Sequence, residues 1–353
     1  MSLVNNIAHR LVPLCLLLVA LAGCRKEDTP APDTPSGTPI AFTPETATKA
    51  AVSGEADIQN DPNGFRVWGL FQGTPGTDGT PVFDGTSVTY VDDNWTYPHT
   101  RYWMNGIYNF AAVYPASVSA TYAATDGALA LTVADFDVTD QHDLLVAFNN
   151  GTDGTGINGA TPPSVVYLNF KHALTKINLK ISQNFSEENG DPDNDYIVKK
   201  VTLSGVYKSG TYIATPTGTS ESDYTQEWNF TSTTATFEKV YDTPIKLREV
   251  TDENNNIIPL LVWEDALLLL PQEIAADAVR IQIDYTYHLQ GDDEGTNDKE
   301  RTVEAYIPAT ENLWQSGKHI TYSISIASPT NIVFLTPSIQ SWSTPQPGGT
   351  III

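Results

Sequence analysis

The chain is poor in cysteine, and both of its cysteines lie close to the N-terminus. Cys15 and Cys24 are the only two among 353 residues. The sequence beyond residue 24 therefore holds no thiol that could close a disulfide or bind a metal ion. Side-chain packing and backbone hydrogen bonds must supply the stability of any folded body.

Basic residues are also scarce. The sequence has 19 Lys and Arg against 42 Asp and Glu, which gives a formal net charge of -23 at pH 7. Such an acidic surface repels phosphate backbones, so we do not expect a nucleic acid partner. We interpret the acidic surplus as a feature that keeps the protein soluble.

Sequence patterns of catalytic sites are missing as well. The chain has no G-x-S-x-G motif, and its histidines form neither H-x-x-x-H nor H-E-x-x-H. Carboxylates are numerous, but no spacing marks one pair as an acid and a base. We therefore predict that the protein is not an enzyme.

Two loop patterns resemble ligand sites but lack residues that those sites need. Residues 154–159 match G-x-G-x-x-G, yet a proline pair follows where a dinucleotide site needs a helix, so we predict a flexible linker. Asp191, Asp193 and Asp195 are spaced as in a calcium loop, but Tyr196 stands where that loop needs glycine. We predict a solvated acidic loop, with weak adventitious Ca²⁺ binding as the alternative, and neither a dedicated metal site nor a cofactor.

Long hydrophobic runs are absent except near the N-terminus. The apolar run at residues 11–22 is too short to cross a bilayer as a stable helix. The motif L-A-G-C at residues 21–24 follows it and looks like a lipobox. We predict a lipoprotein signal peptide over 1–23, acyl chains on Cys24 that anchor the protein to the outer membrane, and a disordered tether over 24–39.

The rest of the chain is rich in strand patterns. Apolar and polar residues alternate over residues 177–181, 281–289 and 320–326. This period of two predicts antiparallel strands that have one buried and one wet face. The segment 149–163, rich in Gly and Pro, predicts a boundary between an N-terminal β-sandwich domain (40–160) and a C-terminal one (161–353).

Four aromatic residues lie close together in the N-terminal half: Trp95, Tyr97, Tyr102 and Trp103. If they are exposed, the indoles of Trp95 and Trp103 could stack on sugar rings. The alternative is that the cluster packs inside the protein, between strands. The sequence leaves both possibilities open.

Several short stretches, taken in their order and spacing, carry a resemblance to a known family: I-A-F at 40–42, T-K-A at 48–50, F-R-V-W-G at 65–69, Y-W at 102–103, D-L-L-V-A at 143–147, F-K-H-A-L-T-K-I at 170–177, L-W-Q-S-G-K-H-I-T-Y at 313–322 and I-Q-S-W at 339–342. The chain resembles the fimbrillin family of Bacteroidota, which supplies subunits of type V pili. The resemblance spans nearly the whole chain beyond the signal peptide.

The resemblance implies a fold and a mode of assembly. The fold would be all-β, with two tandem transthyretin-like antiparallel β-sandwich domains. A trypsin-like surface protease would cut after a basic residue, the lipidated N-terminal strand would leave, and a strand from a neighbouring subunit would replace it.

Particular residues fit these roles. Ile40 and Phe42 alternate with small or polar residues, so they would fill the groove as part of an exchangeable strand over 40–49. Lys49 is the only basic residue between Lys26 and Arg66, so it is either the processing site or an ordinary loop lysine.

The C-terminus would be the donor. Residues 332–339 are predicted to form a strand, and Ile351, Ile352 and Ile353 follow two glycines at the end of the tail. Three terminal isoleucines would either plug the groove of a neighbour or fold back on their own domain.

The predicted function is a structural or accessory subunit of a cell-surface pilus (fimbria) that supports adhesion. The alternative is a surface lipoprotein that binds glycans.

Overall fold

Strands make up most of the described backbone. The computed structural model describes residues 37–46, 55–74, 77, 79–125, 127–183, 194–288, 295–309, 314–328 and 331–342. Cys24, Lys49, Ile351, Ile352 and Ile353 lie outside these residues. The predicted all-β class is confirmed.

The first half of the described chain contains one short helix, α1 (Glu55–Asn60), and eleven strands: β1 (Phe42–Thr46), β2 (Phe65–Gln72), β3 (Thr80–Val91), β4 (Asn94–Thr96), β5 (Ile107–Tyr114), β6 (Ala120–Thr125), β7 (Ala128–Asp137), β8 (Leu145–Asn149), β9 (Ile157–Asn158), β10 (Val166–His172) and β11 (Thr175–Gln183). None of the described helices is long and apolar enough to span a membrane.

The second half adds a single 3₁₀ turn, Leu247–Glu249, and the remaining described strands: β12 (Asp195–Tyr207), β13 (Ser209–Pro216), β14 (Tyr224–Phe230), β15 (Thr234–Lys246), β16 (Leu260–Leu261), β17 (Leu267–Leu269), β18 (Arg280–His288), β19 (Lys299–Tyr306), β20 (Lys318–Ser328), β21 (Asn331–Phe334) and β22 (Ser338–Ser341). The predicted strand at 332–339 is two strands, because Pro337 has no N–H to donate to a ladder.

The strands form four sheets. The first sheet has the order β1-β10-β8-β5-β2-β3-β4, with β9 beside β5. The second has the order β14-β13-β7-β6. The third runs β16-β11-β20-β21, with β17 beside β11 and β22 beside β20, and the fourth runs β15-β12-β18-β19.

Two strand pairs depart from the predicted antiparallel arrangement. β1 runs parallel to β10, and β11 runs parallel to β20. Parallel neighbours need a long connection between them, and each of these pairs joins strands far apart in the sequence. Alternation of polar and apolar residues cannot reveal this direction, because it is the same for both arrangements.

The first sheet is buried on both faces. Phe65 and Val67 of β2 point into an N-terminal core, whereas Trp68 and Leu70 point into a larger main core. Neighbouring strands alternate in the same way; for example, Phe110 of β5 belongs to the N-terminal core. The main core also contains buried side chains of the other three sheets, so it joins the two halves of the chain.

The predicted domain boundary does not divide this structure. β10 begins beyond residue 160 but lies in the first sheet, next to β1 and β8. β7 precedes the boundary but pairs with β13, so the second sheet contains strands from both sides. The residues from 38 onward form one compact unit.

The glycine-rich loop is packed rather than flexible. Ile157 and Asn158 form β9 and pair with β5, and Ile157 is buried. Gly154 has a φ of +77°, and a Cβ atom there would lie 2.5 Å from the backbone of Gly218. Contacts distant in sequence hold this loop, and so its composition alone predicted a linker wrongly.

Candidate functional site: the N-terminal strand and its seat

The N-terminal segment 38–46 is an integral part of the first sheet. Ile40 is 1% exposed and Phe42 is 2% exposed, so both side chains lie in the N-terminal core. Ala41 and Thr43 are only half-buried whereas Pro44 is buried again, as the alternation of side chains along a strand predicts. β1 stands at the end of the first sheet, with β10 as its neighbour.

Backbone hydrogen bonds hold this segment on two sides. The N–H of Ile40 donates to the carbonyl of Arg101 at 2.8 Å, and the N–H of Trp103 donates to the carbonyl of Thr38 at 3.0 Å. On the other side, the N–H of Val166 donates to the carbonyl of Ala41 at 2.7 Å. The segment therefore occupies a slot between residues 101–103 and β10.

Aromatic rings form the floor of this slot. The ring of Phe42 meets Phe83 at 5.1 Å and Phe110 at 5.4 Å between centroids, and both contacts are edge-to-face. Tyr97 makes a third edge contact at 5.9 Å. Such contacts add about 0.5–1.5 kcal/mol each to the hydrophobic gain of burial.

Tyr97 fixes the segment through its hydroxyl group. This hydroxyl donates to the carbonyl of Ile40 at 2.6 Å and accepts from the N–H of Arg101 at 3.3 Å. Burial raises the pKa of Tyr97 above its ordinary value, and the hydrogen bond and positive charge of Arg101 oppose this effect. The net shift is upward, so the phenol stays protonated and can donate at neutral pH.

β10 is the strand with which β1 pairs. Residues 166–170 of β10 pair with Phe42–Thr46, and the registered pairs with β8 follow at Lys171 and His172. Removal of segment 38–46 would leave five residues of β10 without this ladder and would expose the side of the N-terminal core that Ile40 and Phe42 cover.

A buried polar group lies where the described chain ends. His172, at the end of β10, places Nδ1 at 2.7 Å from Oδ2 of Asp143, and the two side chains are only 1% and 2% exposed. The indole of Trp342 stacks on the His172 ring with centroids 3.5 Å apart. Trp342 also donates its backbone N–H to the carbonyl of Gly317 at 2.6 Å.

Lys176 completes this group. Its Nζ lies 5.5 Å from the centre of the Trp342 ring. Burial lowers the pKa of Lys176, while the charges of Asp143 and Asp265 oppose that shift. Asp143 and Trp342 are nearly 200 residues apart in the sequence, and His172 lies between them. No local pattern marks the three residues as neighbours.

The aromatic cluster packs inside the protein. Trp103 is 9% exposed and meets Tyr108 edge-to-face at 4.7 Å. Trp95, which is half-buried, packs against Phe65 and Tyr90. A sugar ring could not stack on Trp103 without displacing its neighbours, so of the two alternatives the geometry favours core packing.

Asp195, predicted to lie in a solvated acidic loop, instead bonds to two cations. Its carboxylate lies 2.7 Å from Nζ of Lys246 and 2.9 Å from Nε of Arg248. Asp191 and Asp193 lie outside the described residues. Within the part of the chain that the structure describes, no three His, Cys, Asp or Glu side chains are grouped closely enough to hold a metal ion.

Comparison with solved structures shows the fold. A fimbrial protein from Bacteroides vulgatus superposes with a TM-score of 0.59 at 17% sequence identity, over 86% of this chain and 99% of that one. A candidate cell adhesion protein from Bacteroides ovatus gives a TM-score of 0.46 at 16% identity, over 88% of this chain and 100% of that one. The curated proteins include no match to this sequence.

Comparison with family models gives the family. The model described as fimbrillin-like matches residues 48–342, which is well over half of the chain. This match agrees with the resemblance that the short motifs carry along the sequence. The chain belongs to the fimbrillin-like family.

Proposed function

We propose that this protein is a structural or accessory subunit of a cell-surface pilus that supports adhesion, and that it assembles by exchange of its N-terminal strand. The family membership supports the pilus role. The observation that carries the exchange is the position of β1 at the end of the first sheet, with β10 as its one neighbouring strand and with Ile40 and Phe42 buried.

An edge strand is the part of a sheet that another chain can replace. Its loss leaves a row of free N–H and C=O groups together with an apolar trough, and both are satisfied by a new strand of suitable pattern. Burial of two side chains such as Ile40 and Phe42 contributes roughly 3–6 kcal/mol before ordering costs. An intact N-terminal strand would thus keep the groove closed until processing.

Lys49 stands at the right place in the chain for such processing. It follows the last residue of β1 by three positions, and α1 begins at Glu55. A cut after Lys49 would separate β1 from the body and leave only non-covalent contacts to hold it. We propose a trypsin-like surface protease as the processing partner.

The two ends of the chain have opposite roles in this proposal. Cys24 carries the lipid that anchors the precursor to the outer membrane at the cell surface, and it departs with β1 after the cut. Ile351, Ile352 and Ile353 supply an apolar, β-branched plug for the groove of the next subunit. The remaining partners are other pilus subunits.

The test compares two lysine variants of the full chain, Lys49→Gln and Lys26→Gln. Brief treatment with a trypsin-like protease should trim the wild type after Lys49 and give ladders that resist SDS. Lys26→Gln should behave in the same way, because a cut at residue 26 leaves β1 attached to the body.

Lys49→Gln should remain monomeric, and so should a chain that lacks residues 348–353. N-terminal sequencing of the products identifies the cut. Ladders of equal intensity from Lys49→Gln would overturn the processing site. Ladders from the shortened chain would overturn the role of the terminal isoleucines.

A further inference from the structure

A cavity lies beside the edge strand β14, far in sequence from the N-terminal strand. Its volume is about 1080 Å³, comparable with the larger ligand sites of proteins. Gln226, Trp228 and Phe230 line one wall, and they share one face of β14 because side chains alternate along a strand. Residues 271–275 and 314–316 form the other walls.

The aromatic wall is rigid. The ring of Phe230 stacks on Tyr207 with centroids 4.5 Å apart and an angle of 5° between the planes. The indole N–H of Trp228 donates to the carbonyl of Ala173 at 3.2 Å, which fixes the orientation of its ring. Phe230 nevertheless remains 37% exposed, so a large apolar surface faces the solvent at the cavity.

Neutral amides and one carboxylate line the cavity together with the aromatic rings. Gln226, Gln272, Gln315 and Glu273 all line the cavity. Gln272 is held in place, since it accepts from the N–H of Tyr207 at 3.3 Å and donates to the carbonyl of Leu270 at 3.2 Å. Among the lining residues that the structure describes, none is Lys or Arg.

We propose that this cavity binds a neutral saccharide. The C–H faces of a sugar ring pack on aromatic side chains, and its hydroxyl groups exchange hydrogen bonds with amides and carboxylates. An anionic ligand would meet no counter-charge from the described lining, and a purely apolar ligand would cover the exposed polar side chains of Gln315 and Glu273 without bonding to them. Rigid rings reduce the entropy that binding costs.

This site is separate from the aromatic cluster of Trp95 and Trp103, and the inference goes beyond the pilus role. The cavity beside β14 would bind its saccharide whether or not the N-terminal strand is exchanged. The two proposals therefore fail independently.

The test begins with the full chain on an array of neutral oligosaccharides built from hexoses and N-acetylhexosamines. Calorimetric titration with the best-retained oligosaccharide then compares the wild type with Phe230→Ala, Gln315→Ala and Tyr306→Ala. We expect Phe230→Ala to bind up to about tenfold more weakly, a change in affinity that corresponds to about 1.4 kcal/mol. Gln315→Ala should also bind more weakly.

Tyr306→Ala is the matched control. Tyr306 is 46% exposed and does not line the cavity, so its loss should leave the affinity unchanged. Thermal unfolding should show that all three variants are folded. The proposal is overturned if the array retains no neutral oligosaccharide, or if Phe230→Ala and Gln315→Ala bind as tightly as the wild type.

Discussion

Single side chains secure both ends of the described chain. Tyr97 donates one hydrogen bond to the carbonyl of Ile40 and so holds the N-terminal strand. Trp342, the last described residue, stacks on His172, which in turn pairs with Asp143. Both contacts bury polar atoms, and a buried polar atom that loses its partner costs more than the contact itself gains.

The variant Tyr97→Phe tests the first contact through its pH dependence. Below pH 10 the wild type should be more stable by about 1 kcal/mol, the net value of one hydrogen bond. Burial raises the pKa of Tyr97 above its ordinary value of 10.0, so the folded protein holds the phenol proton more tightly than the unfolded chain does. This contribution is fully present below pH 10 and is lost as the pH rises through the folded pKa.

Urea unfolding of both proteins between pH 7 and pH 11 measures the difference in the free energy of unfolding. The other tyrosines occur in both proteins, so their titration cancels in that difference. A difference that stays constant or grows above pH 10 would show that Tyr97 does not hold the segment in this way.

The variant Asp143→Ala tests the second contact. It leaves the buried His172 ring without its carboxylate neighbour, and we expect a loss of about 1–3 kcal/mol in the free energy of unfolding, the cost of a buried polar group that loses its partner. Asp223→Ala is the control, since Asp223 lies 3.6 Å from Lys171, the residue before His172, but is 59% exposed. An exposed pair of this kind contributes about 0–1 kcal/mol. Equal losses in the two variants, measured by urea unfolding, would contradict the buried pair.

At the scale of elements, β1 differs from the strands in the middle of its sheet. β5 has β2 and β8 on its two sides, whereas β1 has β10 on one side. Its attachment therefore depends more on its side chains than on its ladder. Phe42 alone contacts three aromatic rings.

Phe42→Ala should consequently destabilise the protein by about 3–5 kcal/mol, the usual cost of emptying a buried phenylalanine site. Thr43→Ala changes the next residue of the same strand, which is only half-buried, and should cost less than about 1 kcal/mol. Urea unfolding compares the two variants. If both variants lose the same free energy of unfolding, side-chain burial does not hold β1 in the first sheet.

At the scale of the whole molecule, the two halves of the chain share a sheet and a core. β7 pairs with β13, and the main core takes side chains from all four sheets. Neither half carries the complete set of strands that its own sheets need. We therefore expect the folded body to unfold in one cooperative transition.

The fragment 1–160 tests this expectation. It lacks β10, which pairs with β1, and β13, which pairs with β7. We expect the isolated fragment to show no near-UV circular dichroism and no cooperative thermal transition, while the full chain gives a single calorimetric peak. A fragment that melts cooperatively would restore the domain boundary at residue 160.

The sequence by itself determined where strands form. Alternation predicted strands at 281–289 and 320–326, and the structure has them at Arg280–His288 and Lys318–Ser328. It also placed Ile40 and Phe42 on one face of an N-terminal strand. These predictions succeed because the pattern of buried and exposed side chains along a strand is local.

Only the tertiary structure decided which strands are neighbours. The parallel pairs, the second sheet shared by both halves, the Asp143–His172–Trp342 contact and the cavity beside β14 all join residues far apart in the chain. Alternation carries no information about partner or direction, because any strand with one apolar face can cover any other apolar surface of matching size. The packing of the two cores selects one arrangement, and that choice depends on the whole chain at once.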